Sequence, residues 1–495
     1  MLSLLSGLLY PLIFPKFSLY LLFPVAMIPL IYWNTGNKSG EINLKTSFIM
    51  SWVSGTLAHL IMMYWIYITL IKNNAGYFGS LLGLVSLCIY MGVYWGIFGA
   101  AVYALNKTDI GLKSVIIPCI WTLLEYSRTY ILTGFPWLLA GNSLWKLTPL
   151  IQISAITGIY GLSFLVIYVN TAMVYAIKLK KLKILIPAAV MISSVFIYGI
   201  IAEKRHIYDV DKKISILQGN ISQYKKWDYR YSSEILDTYR ELYHEAAEYG
   251  PGLIVWPETA LPDPLASADN MGEYMKELTD HYKTSQLIGS VEEKRAKYYN
   301  SAYVVSPDGD ISAPYRKYHL TPFGEYIPFR KLLSPVIGVI NEVGDFDAGG
   351  KIEILEAGEY RIGTGICFEG LFPGLVRSFF KKGANIFVNI TNDGWYLNTA
   401  GPYQHFIHSI FRAVENRTYV IRAANTGISA VISPAGKVVK KTSLLKTEVL
   451  NSKVSISQKK TFYTKYGNIF VGICFLFVVY ALWRDRRCLK NVEMN

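Results

Sequence analysis

Residues 361–370 read RIGTGICFEG. The β-branched and glycine-bounded run up to Cys367 reads as a strand that stops at the cysteine. The following GLFPGLVRSFF, 370–380, leads into a helix. Cys367 is therefore expected at a strand-to-helix turn, where helix-terminal N–H groups lower a thiol pKa. A free cysteine is more often a small buried hydrophobe than a nucleophile, so the surroundings have to decide.

Working outward, the same texture recurs. ISILQG (214–219), LIVWP (253–257), QLIGSV (286–291), SAYVVS (301–306), NIFVNI (385–390) and ISAVIS (428–433) read as further strands. Stretches 232–249, 370–382 and 403–424 read as helices, and Asp308-Gly309 and Pro434-Ala435-Gly436 as hairpin turns. This pattern implies one α/β domain from about 204 to 462. Within it, 321–348 is interrupted by proline and glycine yet carries Phe323, Phe329, Leu332, Leu333, Val336 and Ile337, the composition of a functional loop.

The flanks are of another kind. The chain has 495 residues, 52% hydrophobic and 17% charged, which excludes an ordinary soluble enzyme. Residues 46–71, 73–106, 147–177, 184–202 and 466–483 contain no Asp, Glu, Lys or Arg. Each is long enough to cross a bilayer of about 30 Å. Segments 2–15, 17–33 and Ser114 to Ile131 are further candidates, so seven spans are expected before the α/β domain and one after it. The expected domains are thus 1–203, a membrane domain; 204–462, extracytoplasmic and catalytic; and 463–495, a last span with a basic tail. Basic residues stay on the cytoplasmic side of short loops. Lys38, Lys45, Lys107, Lys113, Lys178, Lys180, Lys181 and Lys183, with Arg484, Arg486, Arg487 and Lys490, put both termini inside. The opposite loops hold little more than Lys16, Lys72 and Lys146. Glu125 and Arg128, one turn apart in an expected span, require pairing or a polar cavity. Trp137 reads as part of an interfacial aromatic belt.

The formal charge of +14 is explained by these anchors, and no clustered basic reading face points to nucleic acid. Of five cysteines, Cys88, Cys119 and Cys474 lie in spans and Cys488 in the tail. Cys367 has no second thiol in its domain with which to form a disulfide. His405 and His408 lack a third ligand, so no metal site is expected, and packing or a surface position accounts for them.

Two other strand ends carry reactive residues. In LIVWPET the carboxylate of Glu258 follows Trp256-Pro257, where poor solvation raises a pKa toward the general-base range; a plain loop acid fits this text equally well. In PYRKYHLTPFGEYIPF, 314–329, Lys317 could stabilise an oxyanion, as it could equally be a solvated surface charge.

Glu, Lys and Cys in this order and these contexts resemble the nitrilase superfamily, with a Glu-Lys-Cys triad on an α-β-β-α sandwich. Together with the membrane frame, LTGFPWLLAG (132–141), LQGNISQYKKWD (217–228), PFGEYIP (322–328) and NDGWYLNTAGPYQHF (392–406) resemble the apolipoprotein N-acyltransferase family. The resemblance implies an inner-membrane enzyme acting at the periplasmic face without a cofactor. Cys367, deprotonated by Glu258, would take an acyl chain from a phospholipid as a thioester. It would then pass the chain to the α-amine of a diacylglyceryl-cysteine on an apolipoprotein, with Lys317 and a backbone N–H near Phe368 holding the oxyanion. Glu325 matches a second acid near the nucleophile, Glu369 the acid after it, and Trp227 a tryptophan at the substrate entrance. Pro328 and the loop after it match a mobile lid. Where the best-studied family members have tyrosine after the nucleophile, this chain has Phe368. Two rivals remain: a membrane-anchored amidase using water as acceptor, and a transporter or receptor whose outer domain only binds.

Overall fold

The computed structural model describes residues 2–36, 42–72, 75–205, 210–226, 228–266, 269–328, 330, 346–456 and 459–493. Lys38, Trp227, Phe329 and the lid residues 331–345 lie outside the described residues, as does the side chain of Cys488. The chain divides into two units, Met1–Arg205 with Tyr466–Asn495, and His206–Lys465.

The first unit is helical. Among its described residues five helices are long and apolar enough to cross a membrane: Leu44–Lys72, Gly76–Ala104, Ile110–Arg128, Ile159–Leu179 and Leu182–Lys204. The eight expected spans are not all met by length. Segments 2–15 and 17–33 form the short helices Leu2–Leu12 and Ile28–Asn34 and a 3-10 turn, Tyr20–Leu22, in a stretch punctuated by Pro11, Pro15, Pro24 and Pro29. The last helix, Ile469–Glu493, is apolar only to Arg484. Small residues let Leu44–Lys72 and Gly76–Ala104 approach closely: a Cβ on Gly92 would stand 2.8 Å from the Trp52 carbonyl oxygen.

Glu125 and Arg128 are both buried and tie down the GFPWL loop. Glu125 Oε1 accepts the Ala140 amide at 2.7 Å, and Arg128 Nη2 donates to the Trp137 carbonyl at 3.3 Å. Trp137 is 1% exposed, stacked on Phe135 and against Trp65, which corrects the aromatic-belt reading. A belt residue needs the lipid interface, whereas this indole is enclosed by its own unit.

The second unit carries two six-stranded sheets. The first contains β1 (Lys212–Gln218), β2 (Leu253–Val255), β3 (Ser285–Lys294), β4 (Lys297–Val305) and β5 (Tyr315–Arg316). The second contains β6 (Ile354–Ala357), β7 (Tyr360–Ile366), β8 (Ile386–Thr391), β9 (Val420–Ala424), β10 (Ala430–Ile432) and β11 (Val438–Lys441). The final strand β12 (Glu448–Val454) returns to the edge of the first sheet, in the order β12-β1-β2-β3-β4-β5. Each sheet has a parallel trio at its centre, β1-β2-β3 and β7-β8-β9, with antiparallel neighbours. Parallel strands are buried on both faces, and β2, β8 and β9 are buried along their whole length.

Helices Ser232–Glu248 and Asp269–Tyr282 cover the first sheet, burying Tyr239, Leu242, Met271 and Met275 with Trp256 and Ile288. Pro373–Lys381 and Gly401–Asn416 lie with the second sheet. The expected helix 403–424 is two elements. It ends at Asn416, Arg417 adopts φ 51° as its C-cap, and Val420–Ala424 pairs in register with β8. Tertiary pairing overrides helical periodicity in this β-branched run. The edge strands β5, β6, β11 and β12 and the helix Asp269–Tyr282 are additions to the sequence reading.

Candidate active site

Open α/β sheets present ligand-binding groups beyond the carboxyl ends of their parallel strands. Glu258 follows β2, Cys367 follows β7, and Asn392 and Asp393 follow β8. Gly289 on β3 makes room for the first turn, since a Cβ there would lie 2.7 Å from the Glu258 Cα.

Glu258, Lys317 and Glu325 form one buried cluster. Lys317, 1% exposed, lies 2.6 Å from Glu325 Oε2 and 4.0 Å from Glu258 Oε1. Asn300 Nδ2 donates to both carboxylates, at 2.7 Å each. The Asn392 amide donates to Glu258 Oε2, and the Thr321 amide to Glu325 Oε2, also at 2.7 Å. Burial pushes the Glu258 pKa up and the charge of Glu325 adds to that, while Lys317 opposes it; the net direction is upward. For Glu325 burial also pushes upward, but the direct Lys317 contact outweighs it and the pKa falls. The same carboxylates outweigh the burial of Lys317 and keep it cationic. The cluster thus holds one carboxylate suited to taking a proton and one suited to staying charged.

Cys367 is 8% exposed and begins a 3-10 turn, Cys367–Leu371, with φ 51°. A non-glycine residue in the left-handed region persists only where its surroundings over-determine it. On the amino side that constraint is Glu369. Its Oε2 accepts the Ile366 amide at 2.7 Å, and its Oε1 accepts the Tyr315 hydroxyl and Tyr318 amide at 2.8 Å and the His319 amide at 3.0 Å. Glu369 is therefore a cap and also a strut between the β5 loop and the Cys367 turn. Burial raises its pKa to about 7 against these donors.

The expectation of a lowered thiol pKa is corrected. Burial raises the Cys367 pKa strongly and Glu258 adds to it, while Lys317 and a hydrogen bond with Thr391 oppose. Desolvation of the thiolate exceeds the help from Lys317 and Thr391. The thiol is held neutral beside a carboxylate of raised proton affinity, the electrostatic arrangement of a nucleophile with its base.

Phe368 is buried against Phe372 at a centroid distance of 5.1 Å and His319 at 6.0 Å, an aromatic packing position. Pro328 is partly buried, two residues after the Pro322–Tyr326 bridge. Sequence reasoning missed Asn300, which links the two carboxylates, and Lys226, whose buried Nζ donates to the Glu258 carbonyl at 2.9 Å. Burial lowers the Lys226 pKa to about 7, with Glu258 opposing. His405 and His408, read from the sequence as packing or surface residues, are both buried, and His405 lies against the Cys367 carbonyl, a position that its place in NDGWYLNTAGPYQHF did not by itself reveal. Among the described residues no group of His, Cys, Asp or Glu has the makings of a metal site.

Two family models match this sequence: Carbon-nitrogen hydrolase over residues 213–461, and the Apolipoprotein N-acyltransferase N-terminal domain over 6–172. An apolipoprotein N-acyltransferase of Geobacter metallireducens is 34% identical over 96% of this chain and 92% of its own length. One of Haemophilus influenzae is 29% identical over 95% and 91%. A solved Nesterenkonia AN1 amidase from the nitrilase superfamily is 18% identical, with TM-score 0.40, covering 50% of this chain and 92% of that one.

Proposed function

Because the chain belongs to the apolipoprotein N-acyltransferase family, a family of membrane enzymes, we propose that it moves an acyl chain from a phospholipid to the α-amine of the diacylglyceryl-cysteine at an apolipoprotein N-terminus. The observation that carries the reading is the burial of Glu258, Lys317 and Cys367, with Lys317 4.0 Å from Glu258 and with Glu258 and Cys367 each just beyond the carboxyl end of a central parallel strand.

Glu258 takes the Sγ proton as the sulfur attacks the ester carbonyl of the donor. The tetrahedral oxyanion is held by Lys317 and a backbone N–H near Phe368. Collapse breaks the acyl C–O bond, the proton on Glu258 passes to the leaving oxygen, and a lysophospholipid departs from a Cys367 thioester. The acceptor amine then gives a proton to Glu258 as it attacks the thioester carbon. The C–S bond breaks, the sulfur recovers that proton, and an amide remains.

Glu325 keeps Lys317 in place and charged, and Glu369 holds the nucleophile turn. Trp227 and Pro328, with the apolar loop that follows, serve substrate entry. The distribution of Lys and Arg supports an inner-membrane protein with both termini cytoplasmic. In that arrangement 1–203 is the membrane domain, 204–462 the periplasmic catalytic domain and 463–495 the last anchor.

The decisive experiment is intact-mass analysis of the full chain incubated with phospholipid. The expected result is an acyl adduct on Cys367 that disappears when a diacylated lipopeptide is added and reappears on that peptide. Hydrolysis of a small amide with no adduct discharged by the peptide would replace this reading with an amidase. No adduct and no turnover would leave a binding protein.

A further inference from the structure

Behind the nucleophile lies a second charged cluster that the chemistry above does not use. Its members are Asn389 on β8, Asp393 in the turn after it, His405 on helix Gly401–Asn416 and Arg422 on β9, all between 0 and 1% exposed. Two of them donate to the same atom. Asn389 Nδ2 lies 3.2 Å, and His405 Nε2 3.3 Å, from the carbonyl oxygen of Cys367. Asn389 Nδ2 also donates to the Gly365 carbonyl at 3.0 Å, across the β7–β8 register pair Gly365–Asn389.

Both donors are held from behind. Arg422 Nη1 donates to Asn389 Oδ1 at 2.7 Å, and Arg422 Nη2 to Asp393 Oδ2 at 2.8 Å. His405 Nδ1 faces Asp393 Oδ1 at 2.8 Å. Arg422 Nη2, a donor, also lies 3.1 Å from His405 Nδ1, so the ring is fixed in rotation and, when neutral with Nδ1 accepting, carries its N–H on Nε2 toward the Cys367 carbonyl. Room for Asp393 depends on Gly427, where a Cβ would collide with the carboxylate. A buried ion pair alone is weak evidence for stability, so a fold-stabilising role does not explain why the donors converge on the one strained residue of the turn.

We infer that His405 and Asn389, braced by Asp393 and Arg422, are positioning residues that hold Cys367 in its left-handed conformation and so aim its sulfur. This rests on the proposed role of Cys367 as nucleophile. Glu369 clamps the amide before the sulfur, and His405 with Asn389 clamps the carbonyl after it. Released on one side, Cys367 relaxes toward φ below zero and the sulfur swings away from Glu258 and Lys317.

The test uses the full chain in phospholipid–detergent micelles, with peptide-resolved mass spectrometry to isolate Cys367 from the other cysteines. Iodoacetamide alkylation and single-turnover thioester formation are timed for wild type, His405→Ala, His405→Gln and Asn389→Asp. A misaimed nucleophile loses about 10- to 100-fold in rate. His405→Ala and Asn389→Asp are expected to slow both reactions by that amount with KM for phospholipid unchanged. His405→Gln keeps an amide donor and is expected to recover most of the rate. Folded His405→Ala that alkylates at the wild-type rate would overturn the inference, as would His405→Gln matching His405→Ala in both rate and melting loss. If His405→Ala does not fold, Asn389→Asp against His405→Gln decides by the same criteria. A wild type that forms no thioester, yet shows the alkylation differences, would sink the acyl-transfer reading and leave the positioning role standing.

Discussion

The two sheets of the α/β unit contribute to the site in opposite ways. At the first sheet Glu258, Lys317, Glu325 and Asn300 are side chains facing one another, and what is tuned is charge. At the second, Asn389 and His405 face the Cys367 carbonyl and Glu369 ties the Ile366 amide to the β5 loop, and what is tuned is geometry. Identical residue types therefore have different fates. Glu258 and Glu325 share a lysine and an asparagine, yet direct contact with the lysine lowers one pKa while burial raises the other. Glu369 uses its charge to collect three amides and a phenol. A site built this way separates proton affinity from orientation, and substitutions should report on one without the other.

The largest effect is expected at Cys367, just beyond β7. Cys367→Ser keeps the shape of the turn but replaces the thiol, and acyl transfer should fall at least about a thousandfold with the melting temperature little changed. Retained transfer would remove the thioester from the mechanism. Next, Glu258→Gln keeps the bonds from Asn300 and Asn392 in form while removing the base. Acylation should drop by about 10²- to 10⁴-fold without a change in the φ-sensitive packing around Phe368. Lys317→Met should cost about 10²- to 10³-fold in turnover through the oxyanion. It should also lose about 3–5 kcal/mol of stability, because two buried carboxylates are left facing each other. Unaltered chemical denaturation would mean that the charge cluster is more hydrated than its burial implies.

A smaller and more diagnostic effect lies in the pH profile. As the proposed base, Glu258 would act only when ionised, so acylation should decline as pH falls through its raised pKa, above the ordinary glutamate range of about 4.3. Glu325→Gln removes a neighbouring negative charge and frees Lys317 to favour ionised Glu258. The acid limb should then move to lower pH, and a limb that stays fixed would show that another group controls it. The smallest effect is expected from Phe368→Tyr. The ring packs against Phe372 and His319 in a buried setting, and regaining a hydroxyl should alter turnover by no more than a few-fold.

Much of this was legible in the chain. The strand ends LIVWPE and RIGTGIC carried Glu258 and Cys367, because a buried parallel strand is a short apolar run whose last residue emerges at the ligand edge. The helices 44–72, 76–104 and 182–204 followed from uncharged length alone, whereas the expected span 147–177 is broken into the short helices Thr148–Ile151 and Ser154–Thr157 before Ile159–Leu179. Other features were not readable. VIRAA continued a helical pattern until β8 claimed it as a strand partner. Trp137 looked interfacial until its loop folded inward onto Arg128 and Glu125.

The sequence alone thus determined the class of the molecule: apolar flanks around a polar α/β domain, with one unpaired cysteine in that domain and two reactive residues in matching contexts. Hydropathy and strand pattern are local, and they survive in one dimension. Tertiary structure alone decided the state of each reactive group. That Glu258 binds protons more tightly and Glu325 less, that the Cys367 thiol stays neutral, and that His405 and Asn389 share its carbonyl all depend on desolvation and distance between residues up to 134 positions apart. Those two quantities do not exist until the sheets have closed over the site.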